Sequence, residues 1–115
     1  MKKEKIKILK LEPHEELKEI EIENSLEALQ KEVEGYIEFI RVDKNHALIV
    51  NEEGKIRQLP VCLVLKQNSK IIDELVGNIL FVRIKDEDVD SLTSEEIEAL
   101  KENMQLNMFR CFDIG

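Results

Sequence analysis

Two histidines and two cysteines, His14, His46, Cys62 and Cys111, equal in number the ligands of a tetrahedral zinc site. Structural zinc sites draw their ligands from pairs only a few residues apart, and here no two of the four are close in sequence. The spacing therefore favours Cys62 as a buried free thiol and His14 as a surface turn residue. The densest carboxylate group, Asp86, Glu87, Asp88 and Asp90, offers hard oxygens to a cation but lacks the turn glycine and terminal glutamate of a calcium loop. It reads as a solvated loop ahead of a helix. Ser25, Ser69, Ser91 and Ser94 sit at helix starts or in loops, without a nucleophile elbow or a locally paired histidine. The four glycines are dispersed, so no phosphate-cradling loop is present. No catalytic residue, metal or cofactor is expected. One weaker signal is basic: Lys55, Arg57 and Lys66, near Pro60, could form an anion-binding corner over an apolar floor, against the plainer reading of a solvated strand face.

The elements that would position these groups are organised around NSLEALQKEVEGYIEFIRVDKNHALIVNEEG, residues 24–54. Leu26, Leu29 and Val33 recur at helical spacing, with Asn24 as the expected N-cap, Glu27 at the third helical position and Gly35 as the left-handed stop. YIEFIRV at 36–42 carries apolar residues on both faces and reads as a central strand. A turn at Asp43–Asn45 returns the chain as a strand at 46–50, and NEEG ends it with a glycine suited to positive φ. Upstream, KIKILKLE at 5–12 alternates imperfectly and its lysines suit a sheet edge, PHEE is a turn, and LKEIEIE at 17–23 is an alternating strand with room for a bulge between Leu17 and Ile20. Downstream, 55–59 reads as a short strand, VCLVL at 61–65 as strand or helix, IIDELVG at 71–77 as a turn of helix or tight connection, and NILFVRI at 78–84 as a buried strand. Thr93 and Glu96 form a capping box for a helix through about Met104, with Ile97, Leu100 and Met104 inward. The predicted fold class is α+β: a mainly antiparallel sheet, in the order hairpin, helix, hairpin and further strands, packed by two helices.

Composition narrows the setting. The 115 residues form a single expected domain over 1–104, followed by an apolar extension at 105–115. The extension holds Leu106, Met108, Phe109, Phe112 and Ile114 and must pack on the domain or on a partner; Met108, Phe109 and Phe112 are the candidate partner contacts, and a tail crossing to a symmetry mate would give a homodimer. Acidic residues outnumber basic ones 25 to 17, a net charge of −8, with lysines interleaved among the carboxylates, which disfavours nucleic acid as a direct partner. No apolar run is long enough to span a bilayer, and two distant cysteines fit a reducing compartment, so the expected location is the cytoplasm, which the resemblance below would make that of a bacterial host cell.

The strings LEALQKEVEGYIEFI, NEEGK, Leu59-Pro60, LVGNILFV and SLTSEEIEAL together resemble a family of small domains of unknown function found in phages, plasmids and integrated elements of Gram-positive and gut bacteria. The resemblance covers about Ile6 to Met104. It implies a mobile-element setting and no defined biochemistry. In that family the segment after the leucine-proline pair carries an asparagine-arginine-arginine-like motif. This chain has VCLVLKQ there, which leaves Arg57, Lys66 or Lys70 to take the place of those arginines.

With no constellation for chemistry, the leading expectation is a non-enzymatic accessory binding protein of a phage or mobile element that modulates a host protein through an acidic surface, comprising Glu12, Glu15, Glu16, Glu19, Glu21, Glu23 and the 86–90 loop. The alternative is a domain that binds or sequesters a small, nucleotide-like anion in a pocket between sheet and second helix or at a subunit boundary.

Overall fold

The computed structural model describes residues 4–106 and 110–115. Strands β1 (Lys5–Leu11) and β2 (Lys18–Glu23) form the first hairpin, helix α1 spans Leu26–Val33, and β3 (Ile37–Asp43) with β4 (His46–Asn51) form the second. Then come β5 (Val61–Gln67), β6 (Lys70–Val76), β7 (Ile79–Lys85), β8 (Asp88–Asp90), helix α2 (Ser94–Leu106) and β9 (Cys111–Asp113). The strand order in the larger sheet is β2-β1-β7-β4-β3, antiparallel throughout, with β8 beside the second half of β7; the smaller sheet runs β6-β5-β9, with β9 parallel to β5. A mostly antiparallel α+β fold with two helices is therefore present.

Alternation along the larger sheet supplies two cores. Ile6, Ile8, Ala47, Ile49, Leu80 and Val82 face Leu29 and Val33 of α1, while Leu9, Leu11, Leu48, Val50, Ile79 and Phe81 face the smaller sheet, Ile97 of α2 and Phe112. The central strands thus lie between two apolar layers, which is why their sequences are nearly continuous in aliphatics. The second layer is narrower than the sheet: Lys5 and Lys7 share a face with Leu9 and Leu11 but stay exposed. Incomplete cover, rather than the expected edge position, accounts for the lysines of β1, which is internal. Conversely β3, expected to be central, is an edge strand with Phe39 45% exposed. Leu17 and Ile20 need no bulge between them, because they pack on opposite cores and the β1–β2 register is unbroken.

Several turns differ from expectation. Ser25, not Asn24, caps α1, its hydroxyl accepting from Ala28 N–H at 3.2 Å, while Asn24 Nδ2 donates to the Val89 carbonyl. Glu34, not Gly35, takes the left-handed position at φ 62°. Gly35 is needed for proximity, since a Cβ there would lie 2.6 Å from Asn51 Nδ2. Gly54 is likewise a close-approach glycine beside Val76 Cγ2, not a positive-φ one. Residues 55–59 form no strand; Arg57 N–H bonds to Glu53 O, and Leu59 N–H to Gly54 O, in a run of turns. VCLVL is strand, and 70–76 is its antiparallel partner rather than a helical turn, joined to it through Asn68 and Ser69, both at positive φ. A two-residue left-handed turn of this kind matches the twist of its flanking strands, so Asn-Ser was the hairpin signal. The Thr93–Glu96 capping box is formed in both directions, at 2.8 and 3.2 Å.

Candidate functional site

Between α2 and the second-layer face of the larger sheet lies a cavity of about 240 Å³. Leu48 of β4 and Phe81 of β7 form one wall, Ala99 and Leu100 of α2 the other, and Phe112 closes it. The Phe81 and Phe112 rings meet edge to face, centroids 5.8 Å apart at 67°.

Charged groups gather at its mouth. The turn at Asp43–Asn45 brings Asp43 back beside His46, whose Nδ1 is 2.9 Å from Asp43 Oδ1, and α2 begins where Glu96 reaches His46 Nε2 from the other side. Arg83 of β7 donates to the same Glu96 oxygen at 2.8 Å, and the Thr93 N–H to its other oxygen. A carboxylate accepts only, so the ring satisfies both neighbours when both nitrogens carry hydrogen. Each acid engages a different ring nitrogen. Among the described residues no three His, Cys, Asp or Glu side chains are placed to hold a metal ion. Burial alone would push the Glu96 carboxyl up, but the Thr93 N–H and the His46 ring outweigh it and hold the group at about 2, against an ordinary 4.5. Burial also works upward on Asp43, and the Asn45 N–H and His46 again bring it below its ordinary value.

The Glu96 arrangement sets a pH dependence. Because its folded-state pKa lies below the unfolded one, its contribution is complete above about pH 4.5 and is lost as pH falls toward 2. The Glu96→Gln variant is expected to be less stable than the wild type at pH 7 by on the order of 2 kcal/mol, and the gap to narrow steadily below pH 4.5. Urea unfolding across that range checks it; a constant gap would remove Glu96 ionisation as the cause.

The basic residues singled out from the sequence are engaged separately. Lys55 pairs with Asp73 of β6, Arg57 Nη1 donates to the Glu34 carbonyl at 2.9 Å, and Lys66 lies on β5 opposite Ile71 and Asp113. None of them lines the cavity at α2. Phe112 is only 8% exposed and belongs to the core of its own chain, so it is not offered to a partner; Met108 and Phe109 lie outside the described residues. Cys62 is a buried free thiol raised to about 11 by burial, against the opposing pull of Arg110, whose Nη2 lies 3.3 Å from its sulfur. His14 is an exposed turn residue. The sequence reading missed the Asp43–His46–Glu96–Arg83 group because Glu96 was already accounted for as a cap. The trace of it was a histidine at a strand start, three residues beyond an aspartate.

The family model described as Domain of unknown function (DUF3846) matches residues 6–105. No curated protein and no solved structure matches the chain. Among the described residues no helix is long and apolar enough to cross a membrane.

Proposed function

We propose that this chain, which belongs to the DUF3846 family of unknown function, acts by binding rather than by chemistry, as an accessory protein of a phage or mobile element that engages a host protein. One observation carries the reading: Ile71, Ile72 and Val61 of the smaller sheet are 66, 50 and 48% exposed. β6 is the edge of that sheet, and Val61, Ile71 and Ile72 line one shallow groove with Lys55, Asp73 and Glu74. Clustered apolar side chains rimmed by charge mark recognition surfaces, whereas isolated ones do not. With Lys55 already paired to Asp73, Glu74 and the net charge of −8 favour a partner whose own apolar contact is bordered by lysine or arginine. Cys62 supports a non-catalytic role, since a buried thiol at about 11 is not a nucleophile at neutral pH.

The test is capture from host lysate by the wild-type chain and by the Ile71→Lys/Ile72→Lys variant. Both positions are exposed, so stability is expected to change by no more than about 0.5 kcal/mol per site, while the captured partner is lost. A partner retained by the variant would move the contact elsewhere, and a wild type that holds nothing at low salt would defeat the reading.

A further inference from the structure

Independently of the groove at β6, we infer that the cavity between α2 and the larger sheet binds a small, mainly apolar molecule, best an aromatic ring, whose polar end carries N–H donors and is neutral or cationic. Its volume of about 240 Å³ sets the size. An apolar cavity of about 150 Å³ accepts benzene, so this one suits a ring with a short side chain or a fused bicycle. Leu48, Leu100 and the Phe81–Phe112 pair make the interior hydrocarbon, and the edge-to-face pair favours a third ring packed against it.

The mouth decides the polar end. The titratable residues lining the cavity are Asp43, Glu96 and His46, two carboxylates to one imidazole, with no lysine or arginine among them. Arg83 approaches from outside the lining and is committed to Glu96. Two carboxylates offer about eight lone-pair directions. The donors on the two acids are the Asn45, His46 and Thr93 main-chain N–H groups, the Thr93 hydroxyl, Arg83 and the two His46 ring nitrogens, which leaves about one direction open. An incoming ammonium or ring N–H uses that capacity, while a carboxylate or phosphate finds no free donor among the charged groups at the mouth, because Arg83 and both His46 nitrogens are already committed to the two acids. The nucleotide-like anion expected from the sequence is therefore the wrong class for this cavity.

Phenethylamine and indole are the probes, with 3-phenylpropanoate as the control that keeps ring and chain but reverses the charge. Amide chemical-shift titration of the full chain is expected to give saturable shifts at Leu48, Phe81, Ala99, Leu100 and Phe112 with both N–H probes, and binding of the carboxylate about tenfold weaker or more. Ala99 is exposed on α2 at the cavity wall, so Ala99→Trp plugs the opening without disturbing the core; it is expected to remain folded and to lose the shifts. The assignment is overturned if neither N–H probe saturates within its solubility, if the carboxylate binds equally well, or if the shifts scatter over the surface. If Ala99→Trp fails to fold, the position of the wild-type shifts and the ammonium-to-carboxylate ratio still decide the matter.

Discussion

Asn51→Ala is expected to destabilise the protein by about 2–3 kcal/mol, more than most single polar substitutions. Asn51 is the one buried polar residue among the described core positions, 4% exposed. Its Nδ2 donates to the Val33 and Glu34 carbonyls at the end of α1, at 3.1 and 3.3 Å, and its Oδ1 accepts the Glu53 N–H at 2.8 Å. One amide thus closes the helix C-terminus, the end of β4 and the start of the 52–59 turns. Alanine leaves the Val33 carbonyl and the Glu53 N–H without that partner, while the Glu34 carbonyl keeps Arg57, and hydrogen bonds that close in a dry environment are the costly ones to lose.

Gly35 makes the prediction sharper. Gly35→Ala places a methyl 2.6 Å from Asn51 Nδ2, so the amide must leave its bonds, and a loss of about 1–3 kcal/mol follows. In Gly35→Ala/Asn51→Ala the obstacle and the amide are both gone. The double variant is expected to be at least about 1 kcal/mol more stable than the sum of the two singles predicts. Urea unfolding of the four proteins measures it, and strict additivity would show that the methyl and the amide do not meet.

The second large effect is in the apolar layer. Phe81→Ala is expected to cost about 3–5 kcal/mol, because the ring is 2% exposed, lies in the core between the two sheets and loses its edge contact with Phe112. For a domain stable by roughly 5–15 kcal/mol this approaches unfolding. Phe39→Ala is the internal comparison: the same chemistry at an edge-strand position 45% exposed is expected to cost no more than about 1 kcal/mol. Phe81→Leu separates volume from ring contact, with about 1.5 kcal/mol expected if volume dominates. Equal losses for Phe81→Ala and Phe39→Ala would mean that the two-layer packing is wrong.

These residues also show what could be read beforehand. The first two hairpins, both helices, the capping box and the inward face of α2 were legible because each has a local signature: alternation, helical spacing, or a hydroxyl three residues before a glutamate. Cys62 was expected as a buried free thiol because no other candidate ligand lies close to it in sequence, and the structure finds it free and buried. What local pattern could not supply is how far a covering layer extends. Lys5 and Lys7 suggested an edge and Tyr36–Val42 a centre, and both placements were reversed, since exposure in β1 and β3 depends on where α1 and the smaller sheet stop. Residues 55–59 and 71–77 failed differently: a short alternating run proved to be turns held by Glu53 and Gly54 carbonyls, and a helix-like IIDELV was recruited by its long pairing with β5. The mouth of the cavity required His46 and Glu96 to meet across 50 residues, which no spacing rule anticipates.

The place of β7 in the larger sheet has a kinetic consequence. Each terminal hairpin closes over a short loop, yet β1 and β4 are joined only through β7, whose residues emerge from the ribosome some thirty positions after β4. Until that strand is laid down, two preformed ribbons present open ladders with nothing between them. The slow step of folding is therefore expected to be the zipping of 79–85 into that gap, and a nascent chain arrested before it is expected to be the form most exposed to misassembly and chaperone capture.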